Sequence, residues 1–241
     1  MTAALATLRL GPADALFLDL DGTLAEIVDD PDSVRLADGT VGDLARIGAR
    51  LGGALAVVSG RDLRDLARRT PPGLWRLGGH GLEVLPPDAV PPEAPPTLPE
   101  AVLAPLRALA RQPGVRLELK GPVAALHYRA APDAEFDAKA AAQAAAAAGE
   151  DLVWQAGKMV VEVKPASAHK GRALRALAAR PPFAGRRPVM IGDDTTDEDA
   201  IAAAEALGGV GVKVGPGAST ASLRIPDPAG LRAWLAREAA D

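Results

Sequence analysis

Three short apolar segments, each ending in small or acidic residues, constrain the fold of this 241-residue chain more than any other feature. They are residues 15–20 (ALFLDL), 54–60 (ALAVVSG) and 187–194 (RPVMIGDD), and a helical pattern lies near each. Continuous apolar runs of this length are typical of parallel strands that are covered on both faces of a sheet. The sequence therefore predicts an α/β fold built on a parallel sheet.

The composition favours a small-molecule partner over nucleic acid or a membrane. Lys and Arg number 27 against 31 Asp and Glu, the net charge is -4, and no basic run stands out. The first ten residues include Arg9 and lack the apolar stretch of a signal peptide, and no window approaches the roughly 18 apolar residues of a membrane span. We therefore expect a cytoplasmic protein. Because the chain contains no cysteine, disulfides and thiolate chemistry are excluded.

The middle of the chain differs in character from its two ends. Residues 86–99 (PPDAVPPEAPPTLP) are too rich in proline for a regular element, and the segment after them predicts a small α+β unit. We expect this unit, residues 86–164, to be inserted into a first domain made of residues 1–85 and 165–241. Its predicted helices are 100–111 and 133–148, and its predicted strands are 115–120, 124–129, 151–156 and 159–165.

Two carboxylates, Asp19 and Asp21, stand at the end of the first apolar segment. Residues two apart on an extended chain point to the same side, and Gly22 lets the backbone turn at once, so both side chains can face one crevice. Two such carboxylates repel each other unless a cation neutralises them or one keeps a proton. A hard cation such as Mg²⁺ meets that need. A helix N-cap beside a solvated turn residue is the structural alternative.

A second acidic cluster follows the third apolar segment, where residues 193–199 (DDTTDED) contain five acids. Like charges on one turn are unfavourable without a counter-ion, although an acid-rich first helical turn, favoured by the helix dipole, is the alternative. Ligands of α/β sheets bind beyond the carboxyl ends of the strands, and both clusters follow predicted strands. Together they favour a metal site.

Other polar residues near the predicted strand ends suit a phosphoryl group. Ser59 and Arg61 follow the second apolar segment, and Lys170 stands at a predicted helix start. A metal and a lysine offset the charge of non-bridging phosphoryl oxygens, and a serine donates a hydrogen bond to them. No GxxxxGK[ST] motif occurs, so a nucleotide-binding P-loop is not supported.

Taken in order, these motifs resemble those of the haloacid dehalogenase-like phosphatases. They are DLDGT with Asp19 and Asp21, the hydroxyl residue Ser59 after a strand, then Lys170, and GDDTTD from Gly192. The resemblance spans the chain, with the insertion between the second and third motifs. It implies a doubly wound parallel sheet with an inserted α+β cap and Mg²⁺ as cofactor. It also implies that Asp19 is the nucleophile that forms an aspartyl-phosphate and that Asp21 is the acid and base.

Shorter stretches resemble the trehalose-6-phosphate phosphatase family in particular. The resemblance implies hydrolysis of trehalose 6-phosphate to trehalose and phosphate, the final step of trehalose biosynthesis. It leaves room for functional coupling to a trehalose-phosphate synthase, and we expect a monomer. The stretches are residues 58–61 (VSGR), 79–83 (GHGLE), 125–129 (ALHYR), 157–165 (GKMVVEVKP) and 192–198 (GDDTTDE).

The expected metal ligands are three. Mg²⁺ is held by a carboxylate oxygen of Asp19, the backbone carbonyl of Asp21, and Asp193. Asp194 and Asp197 lie behind these ligands or orient the lysine, because waters and phosphate leave room for few direct carboxylates.

The remaining site residues are expected to bind the two ends of the substrate. Lys158 and Glu162, four residues apart, would lie on one face of a strand, where a solvated strand face is the alternative. The alternative to sugar binding by His127, which stands between two hydrophobic residues, is a structural role. The residues expected to bind phosphate are Ser59, Gly60 and Lys170. Those expected to bind the sugar are Arg61, His80, His127, Arg129, Lys158 and Glu162.

Several other functions stay open on the residues alone. The nearest is a phosphatase for another sugar phosphate, such as sucrose phosphate or mannosyl-3-phosphoglycerate. A phosphomutase would keep the phosphoryl group on Asp19 while the sugar reorients. A receiver-like binding module would use the aspartyl-phosphate as a signal, but a poised acid and base at Asp21 argues against it. A metal-dependent glycosyltransferase also uses DxD, but has no use for Lys170 and Asp193.

Overall fold

The computed structural model describes residues 7–240, and the chain divides into two compact units. The first unit comprises Met1–Pro91 and His169–Asp241, and the second comprises Pro92–Ala168. The first six residues, part of the segment expected not to be a signal peptide, lie outside the described residues. No helix within residues 7–240 is long and apolar enough to cross a membrane.

Strands and helices alternate along most of the described chain. The strands are β1 (Asp14–Leu18), β2 (Leu55–Val58), β3 (Trp75–Gly78), β4 (Glu83–Leu85), β5 (Arg116–Lys120), β6 (Val123–His127), β7 (Leu152–Gly157), β8 (Val160–Pro165), β9 (Arg187–Gly192), β10 (Val210–Val214) and β11 (Leu223–Ile225). The helices are α1 (Thr40–Arg50), α2 (Leu63–Arg69), α3 (Glu100–Leu109), α4 (Glu135–Ala147), α5 (Lys170–Ala178), α6 (Thr195–Ala206) and α7 (Pro228–Ala240).

The first unit contains a seven-stranded sheet in the order β11-β10-β9-β1-β2-β3-β4. All neighbouring strands are parallel except β3 and β4, which pair antiparallel. Every residue of β1 and β2 is buried, as is typical of central strands of a parallel sheet that is covered on both faces. The α/β fold with a mainly parallel sheet, predicted from the sequence, is confirmed.

The predicted strands end earlier than their apolar segments. β1 ends at Leu18, β2 at Val58 and β9 at Gly192, and the next residue in each case is polar. Since β1 pairs with β9 on one side and β2 on the other, these three ends lie side by side. The acids therefore stand beyond the sheet and not within it.

The second unit contains a four-stranded antiparallel sheet in the order β5-β6-β8-β7, with α3 and α4 packed together beside it. Its core joins those helices to alternate strand residues, among them Leu126, Val161 and Val163. Opposed residues on neighbouring strands share a face of the sheet. Glu118, Ala125 and Glu162 are opposed in register across β5, β6 and β8 and form one row on the other face.

One expectation about this unit was wrong. Lys158 does not lie on a strand face with Glu162, because β7 ends at Gly157 and β8 begins at Val160. Those two residues are paired, so Lys158 and Met159 form the two-residue turn between the strands. Met159 has φ of 63°, a left-handed conformation that ends the extended run.

The limits of the two units lie a few residues after the boundaries predicted at 86 and 165. On the amino-terminal side, residues 86–88 are held by the first unit. The Asp88 amide donates to the Pro72 carbonyl at 2.8 Å, and Arg76 Nη2 donates to the Pro86 carbonyl at 3.2 Å. The proline-rich segment thus leaves the first unit only after these bonds are made.

Candidate active site

Three polar residues follow directly after three adjacent parallel strands. Asp19 follows β1, Ser59 follows β2 and Asp193 follows β9. The Asp19 amide donates to the Ile191 carbonyl at 3.0 Å, which extends the β1–β9 pairing up to the carboxylates. The site lies where α/β sheets bind ligands, beyond the carboxyl ends of the strands.

The buried ammonium of Lys170 joins two buried carboxylates. Its Nζ donates to Asp19 Oδ1 at 2.6 Å and to Asp197 Oδ1 at 2.7 Å. All three residues are at most 4% exposed. Burial lowers the pKa of Lys170, but the two carboxylates outweigh that effect and raise its pKa above the ordinary value. Lys170 at the start of α5 is therefore a fixed positive charge.

One lysine does not neutralise the negative charge around Asp19. Burial and the neighbouring Asp197 raise the pKa of Asp19 well above its ordinary value, more than Lys170 lowers it. Burial also raises the pKa of Asp193, and Asp197 and Asp194 add to the shift. The cluster has room for a further positive charge.

Asp197 is held by both of its carboxylate oxygens. Oδ1 accepts from Lys170, while Oδ2 accepts from the amides of Asp193 at 3.2 Å and Asp194 at 3.0 Å. Asp197 thus binds the amides at the start of α6, which fits the alternative of an acid-rich first helical turn for this one acid. Gly192 permits this packing, because a Cβ there would lie 2.4 Å from Asp197 Cβ.

The Asp193 carboxylate lies against the turn that follows β1. Its Oδ1 accepts from Thr23 Oγ1 at 3.0 Å. Gly22 has φ of 81°, and a Cβ on it would lie 2.2 Å from Asp193 Oδ2. Only glycine lets the acidic turn after β9 approach the DLDGT turn this closely.

The residues present fit a hard divalent cation. Carboxylate oxygens of Asp19, Asp193 and Asp197 lie within 4.8 Å of one another. Oxygen donors and uncompensated negative charge are what Mg²⁺ requires. Because both oxygens of Asp197 already accept hydrogen bonds, Asp19 and Asp193 are the carboxylates best placed to hold a metal. The backbone carbonyl of Asp21 stays a predicted ligand.

The Asp21 carboxylate is bound by a guanidinium. Arg61 donates from Nε to Asp21 Oδ2 at 2.7 Å and from Nη2 to Oδ1 at 2.6 Å. Arg61 also donates from Nη1 to Asp65 Oδ2 at 2.7 Å and from Nη2 to the Pro31 carbonyl at 3.1 Å. Burial lowers the pKa of Arg61, but Asp21 and Asp65 raise it overall. Arg61, predicted to contact sugar, here orients Asp21.

Ser59, Gly60 and His80, all predicted site residues, lie together. Ser59 Oγ accepts from the Arg61 amide at 3.1 Å, and the Ser59 carbonyl accepts from the His80 amide at 2.9 Å. The His80 ring covers Gly60, where a Cβ would lie 2.6 Å from His80 Cε1. His80 is buried with φ of 58°, a left-handed conformation that glycine on either side accommodates.

The other four predicted sugar-binding residues belong to the second unit. His127 Nε2 lies 2.8 Å from Glu118 Oε2, on the face of the sheet that carries Glu162. Arg129 and Lys158 are exposed, and both lie outside the strands. The hydrogen bond to His127 lowers the pKa of Glu118, burial raises it, and the charge of Lys120 lowers it further. The net result is a pKa of about 2.

Sequence reasoning missed several residues that build the site. Thr23, Asp65 and Lys213 contact predicted site residues, and Glu118 contacts His127. Alternation in VRLELK, which places Glu118 on the polar face, could have identified Glu118. Nothing in the sequence near Lys213 indicates that its side chain reaches the acidic turn, since that contact depends on the pairing of β9 with β10.

The fold and site place this chain among α/β proteins with a mainly parallel sheet and a polar site beyond the carboxyl ends of its strands. A solved haloacid dehalogenase-like hydrolase from Bacteroides thetaiotaomicron has the same fold, with a TM-score of 0.68 at 17% identity over 93% of this chain and 98% of that chain. Within that class, the chain belongs to the trehalose-phosphatase family, whose model matches residues 17–227.

Two relatives agree with this assignment, and a solved structure shares the fold. A probable trehalose-phosphate phosphatase of Sinorhizobium fredii is 41% identical over 228 residues, which cover 92% of this chain and 86% of the relative. A trehalose-6-phosphate phosphatase of Escherichia coli is 38% identical over 240 residues, covering 95% and 88%. The C-terminal domain of C. albicans trehalose-6-phosphate phosphatase shares the fold, with a TM-score of 0.79 at 22% identity over 95% of this chain and 93% of that chain.

Proposed function

We propose that this chain hydrolyses trehalose 6-phosphate to trehalose and phosphate through an aspartyl-phosphate on Asp19, with Mg²⁺ as cofactor. Membership of the trehalose-phosphatase family supports the substrate and the reaction. One observation carries the mechanism: the buried Lys170 ammonium lies 2.6 Å from a carboxylate oxygen of Asp19 and 2.7 Å from one of Asp197. It holds the nucleophile in one orientation beside a fixed positive charge.

In the first step, an oxygen of Asp19 attacks phosphorus and the bond from phosphorus to the sugar oxygen breaks. The sugar oxygen takes a proton from the Asp21 carboxyl group. Two of the three N–H donors of Lys170 bind carboxylates, so the third is available to a phosphoryl oxygen. Ser59 Oγ accepts from the Arg61 amide and can donate its own proton to the same group.

In the second step, a water molecule gives a proton to the Asp21 carboxylate, and the water oxygen attacks phosphorus. The bond to Asp19 breaks, which releases phosphate and restores both residues. For either step, Asp21 must release at least one of its bonds to Arg61. Its side chain is 37% exposed while that of Arg61 is 14% exposed, so Asp21 is the partner with more freedom to turn.

Asp19 and Asp193 would hold Mg²⁺, together with the backbone carbonyl of Asp21. When bound, the cation supplies positive charge that offsets the phosphoryl oxygens and fixes their orientation. Burial, and after it the neighbouring carboxylates, raise the pKa values of Asp19 and Asp193, and this need for positive charge supports the assignment.

We propose that the second unit provides residues for sugar recognition. His127 and Glu162 share a polar face of its sheet, and hydroxyl groups of a sugar suit carboxylate and imidazole partners. Arg129 and Lys158 are exposed cations of the same unit, and His80 belongs to the first unit. Arg61 we assign to the orientation of Asp21.

Phosphate release from a panel of sugar phosphates tests the proposal. The panel contains trehalose 6-phosphate, sucrose 6-phosphate, mannosyl-3-phosphoglycerate and glucose 6-phosphate, each assayed with Mg²⁺ and with EDTA. We expect release from trehalose 6-phosphate to exceed the others, to need the cation, and to fall at least about a thousandfold in Asp19→Asn. Asp38→Asn, the same substitution at an exposed position, is the matched control.

Each comparison in this experiment has a result that would contradict one part of the proposal. Equal release from all four compounds argues against the substrate, and activity retained by Asp19→Asn argues against the nucleophile. A requirement for a sugar bisphosphate activator would point to a phosphomutase. Activity unchanged by EDTA argues against the metal.

A further inference from the structure

Lys213 is a buried lysine that the reaction steps above do not use. It is the fourth residue of β10, is 5% exposed, and is opposed in register to Gly192 at the end of β9. Burying an ammonium group costs several kcal/mol unless polar partners replace the lost water. A lysine at this position therefore needs a reason beyond packing.

The partners of Lys213 are backbone carbonyls. Its Nζ donates to the carbonyl oxygen of Asp193 and, at 2.9 Å, to that of Val214. Among residues 7–240, no carboxylate oxygen lies within 4.0 Å of this nitrogen. Lys213 thus differs from Lys170, which is bound to two carboxylates.

These bonds complete the restraint of Asp193. Its amide donates to Asp197 Oδ2 at 3.2 Å, its side chain accepts from Thr23 Oγ1 at 3.0 Å, and its carbonyl accepts from Lys213. The amide, the carboxylate and the carbonyl of Asp193 are thus bound by Asp197, Thr23 and Lys213 respectively. Hydrogen bonds from an ammonium are stronger than those from neutral donors, so the carbonyl bond is a firm restraint.

We infer that Lys213 is a positioning residue for Asp193, and that it sets the affinity of the site for its divalent cation. This inference rests on the proposed metal site. Lys213 acts through the backbone of Asp193, and its direct role is to hold the turn between β9 and α6 in the shape that presents the carboxylate. Partners that stand behind metal ligands are worth about tenfold to a hundredfold in metal affinity.

A positioning role and a purely electrostatic role of Lys213 predict opposite changes in cation affinity when its ammonium group is removed. If Lys213 positions Asp193, its loss weakens cation binding because the ligand is no longer held. If its positive charge merely opposes the cation across a short distance, its loss strengthens binding. If it only supports the sheet, its loss lowers thermal stability and leaves the affinity of the folded protein unchanged.

Calorimetric titration of the metal-free protein with Mg²⁺ separates these results. We expect Lys213→Met, which keeps the length and apolar character of the side chain, to bind Mg²⁺ about tenfold to a hundredfold more weakly than the wild type. Val212→Ala, at a fully buried neighbour on the same strand, is the control for loss of stability alone and should keep wild-type affinity.

A second variant keeps the test valid if Lys213→Met does not fold. The chain contains no cysteine, so Lys213→Cys can be unfolded, alkylated with 2-bromoethylamine at that position alone, and refolded. The product restores an ammonium group at nearly the same distance and should recover Mg²⁺ affinity relative to the unmodified cysteine variant. Recovery supports positioning by Lys213.

Folded Lys213→Met with unchanged or tighter Mg²⁺ binding overturns the inference, as does a modified cysteine variant that does not regain affinity. If the wild type itself binds no Mg²⁺ and releases no phosphate, the proposed function fails instead. The two failures are thus distinguished by the wild-type titration.

Discussion

At the scale of single residues, the site assigns a different partner to each acid. One carboxylate oxygen of Asp197 accepts from Lys170 and the other accepts from two amides, so Asp197 is a supporting residue. Asp21 is held by Arg61, and Asp193 by Thr23. Only Asp19 combines burial, an ammonium partner and a raised pKa with a position directly after a central strand. These partners, more than the residue type, distinguish the proposed nucleophile from the supporting acids.

Arg61, which holds Asp21, also binds Asp65, and the ionisation of Asp65 makes part of the folding stability depend on pH. Burial raises the pKa of Asp65, but hydrogen bonds from Arg69 and Arg61 outweigh it and lower the pKa to about 2. A depressed folded-state pKa contributes stability above the unfolded-state pKa of about 3.9, and this contribution is lost as the pH falls towards 2.

We therefore expect Asp65→Asn to lower the free energy of unfolding by about 1–2 kcal/mol at pH 7, which is less than the full pKa shift implies because solvent screens this partly exposed carboxylate. The difference from the wild type should shrink between about pH 4 and pH 2. Urea unfolding at several pH values measures it. Glu135→Gln, at an exposed pair with Lys139, should leave the free energy of unfolding almost unchanged at every pH. A constant difference down to pH 2 would show that Asp65 acts through packing.

At the scale of elements, close approach of two helices sets the position of Lys170. The first turns of α5 and α6 meet at Gly171, where a Cβ would lie 2.4 Å from the Asp199 carbonyl oxygen. His169 adds two bonds to this contact: its Nδ1 accepts from the Arg172 amide at 3.3 Å, and its Nε2 lies 3.1 Å from Asp199 Oδ2. His169 thus caps the start of α5 and also links it to α6.

Gly171→Ala should separate these helices, because the obstructing atom is backbone and cannot rotate away. We expect a loss of about 1–3 kcal/mol in unfolding free energy and a fall in kcat as Lys170 moves from Asp19. Gly48→Ala in α1 is the matched control, since its Cβ would meet Leu74 at an ordinary 3.7 Å. That variant should be more stable by about 0.5–1 kcal/mol. Equal effects of both would contradict the close contact.

At the scale of the whole molecule, three distant parts of the sequence meet in one acidic cluster. Asp19 follows β1, Lys170 begins α5, and Asp193 and Asp197 flank the start of α6. Burial raises the pKa values of Asp19 and Asp193, and the excess of carboxylates over the one ammonium adds to the shift. A cation that enters this cluster binds the folded chain only and must stabilise it.

Mg²⁺ at about 100 times its Kd should therefore raise the unfolding free energy by about 2.7 kcal/mol and the Tm by about 5–10 °C. Asp193→Asn should lose most of this shift. Thermal unfolding measured with MgCl₂, or with NaCl at the same ionic strength as the control, gives the comparison. An equal shift in the two salts, or in the variant and the wild type, would count against a bound cation.

Much of this arrangement follows from local patterns. The apolar runs before Asp19, Ser59 and Asp193 predicted three of the seven strands of the sheet, and the others lack a comparable run of apolar residues. The polar residues after these runs predicted one edge as the site. Lys158 was misplaced because period-two alternation does not show where a hairpin turns.

By itself, the sequence determined the type of fold, the edge of the sheet that carries the chemistry and the family to which the chain belongs. Short segments encode these features, since burial on both faces requires apolar runs and a hard cation requires oxygen donors. Only the tertiary structure decided which cation meets which acid: Arg61 with Asp21, Lys170 between Asp19 and Asp197, and Lys213 on the Asp193 carbonyl. These pairs depend on distances of a few ångströms between segments far apart in the chain, and packing alone sets such distances.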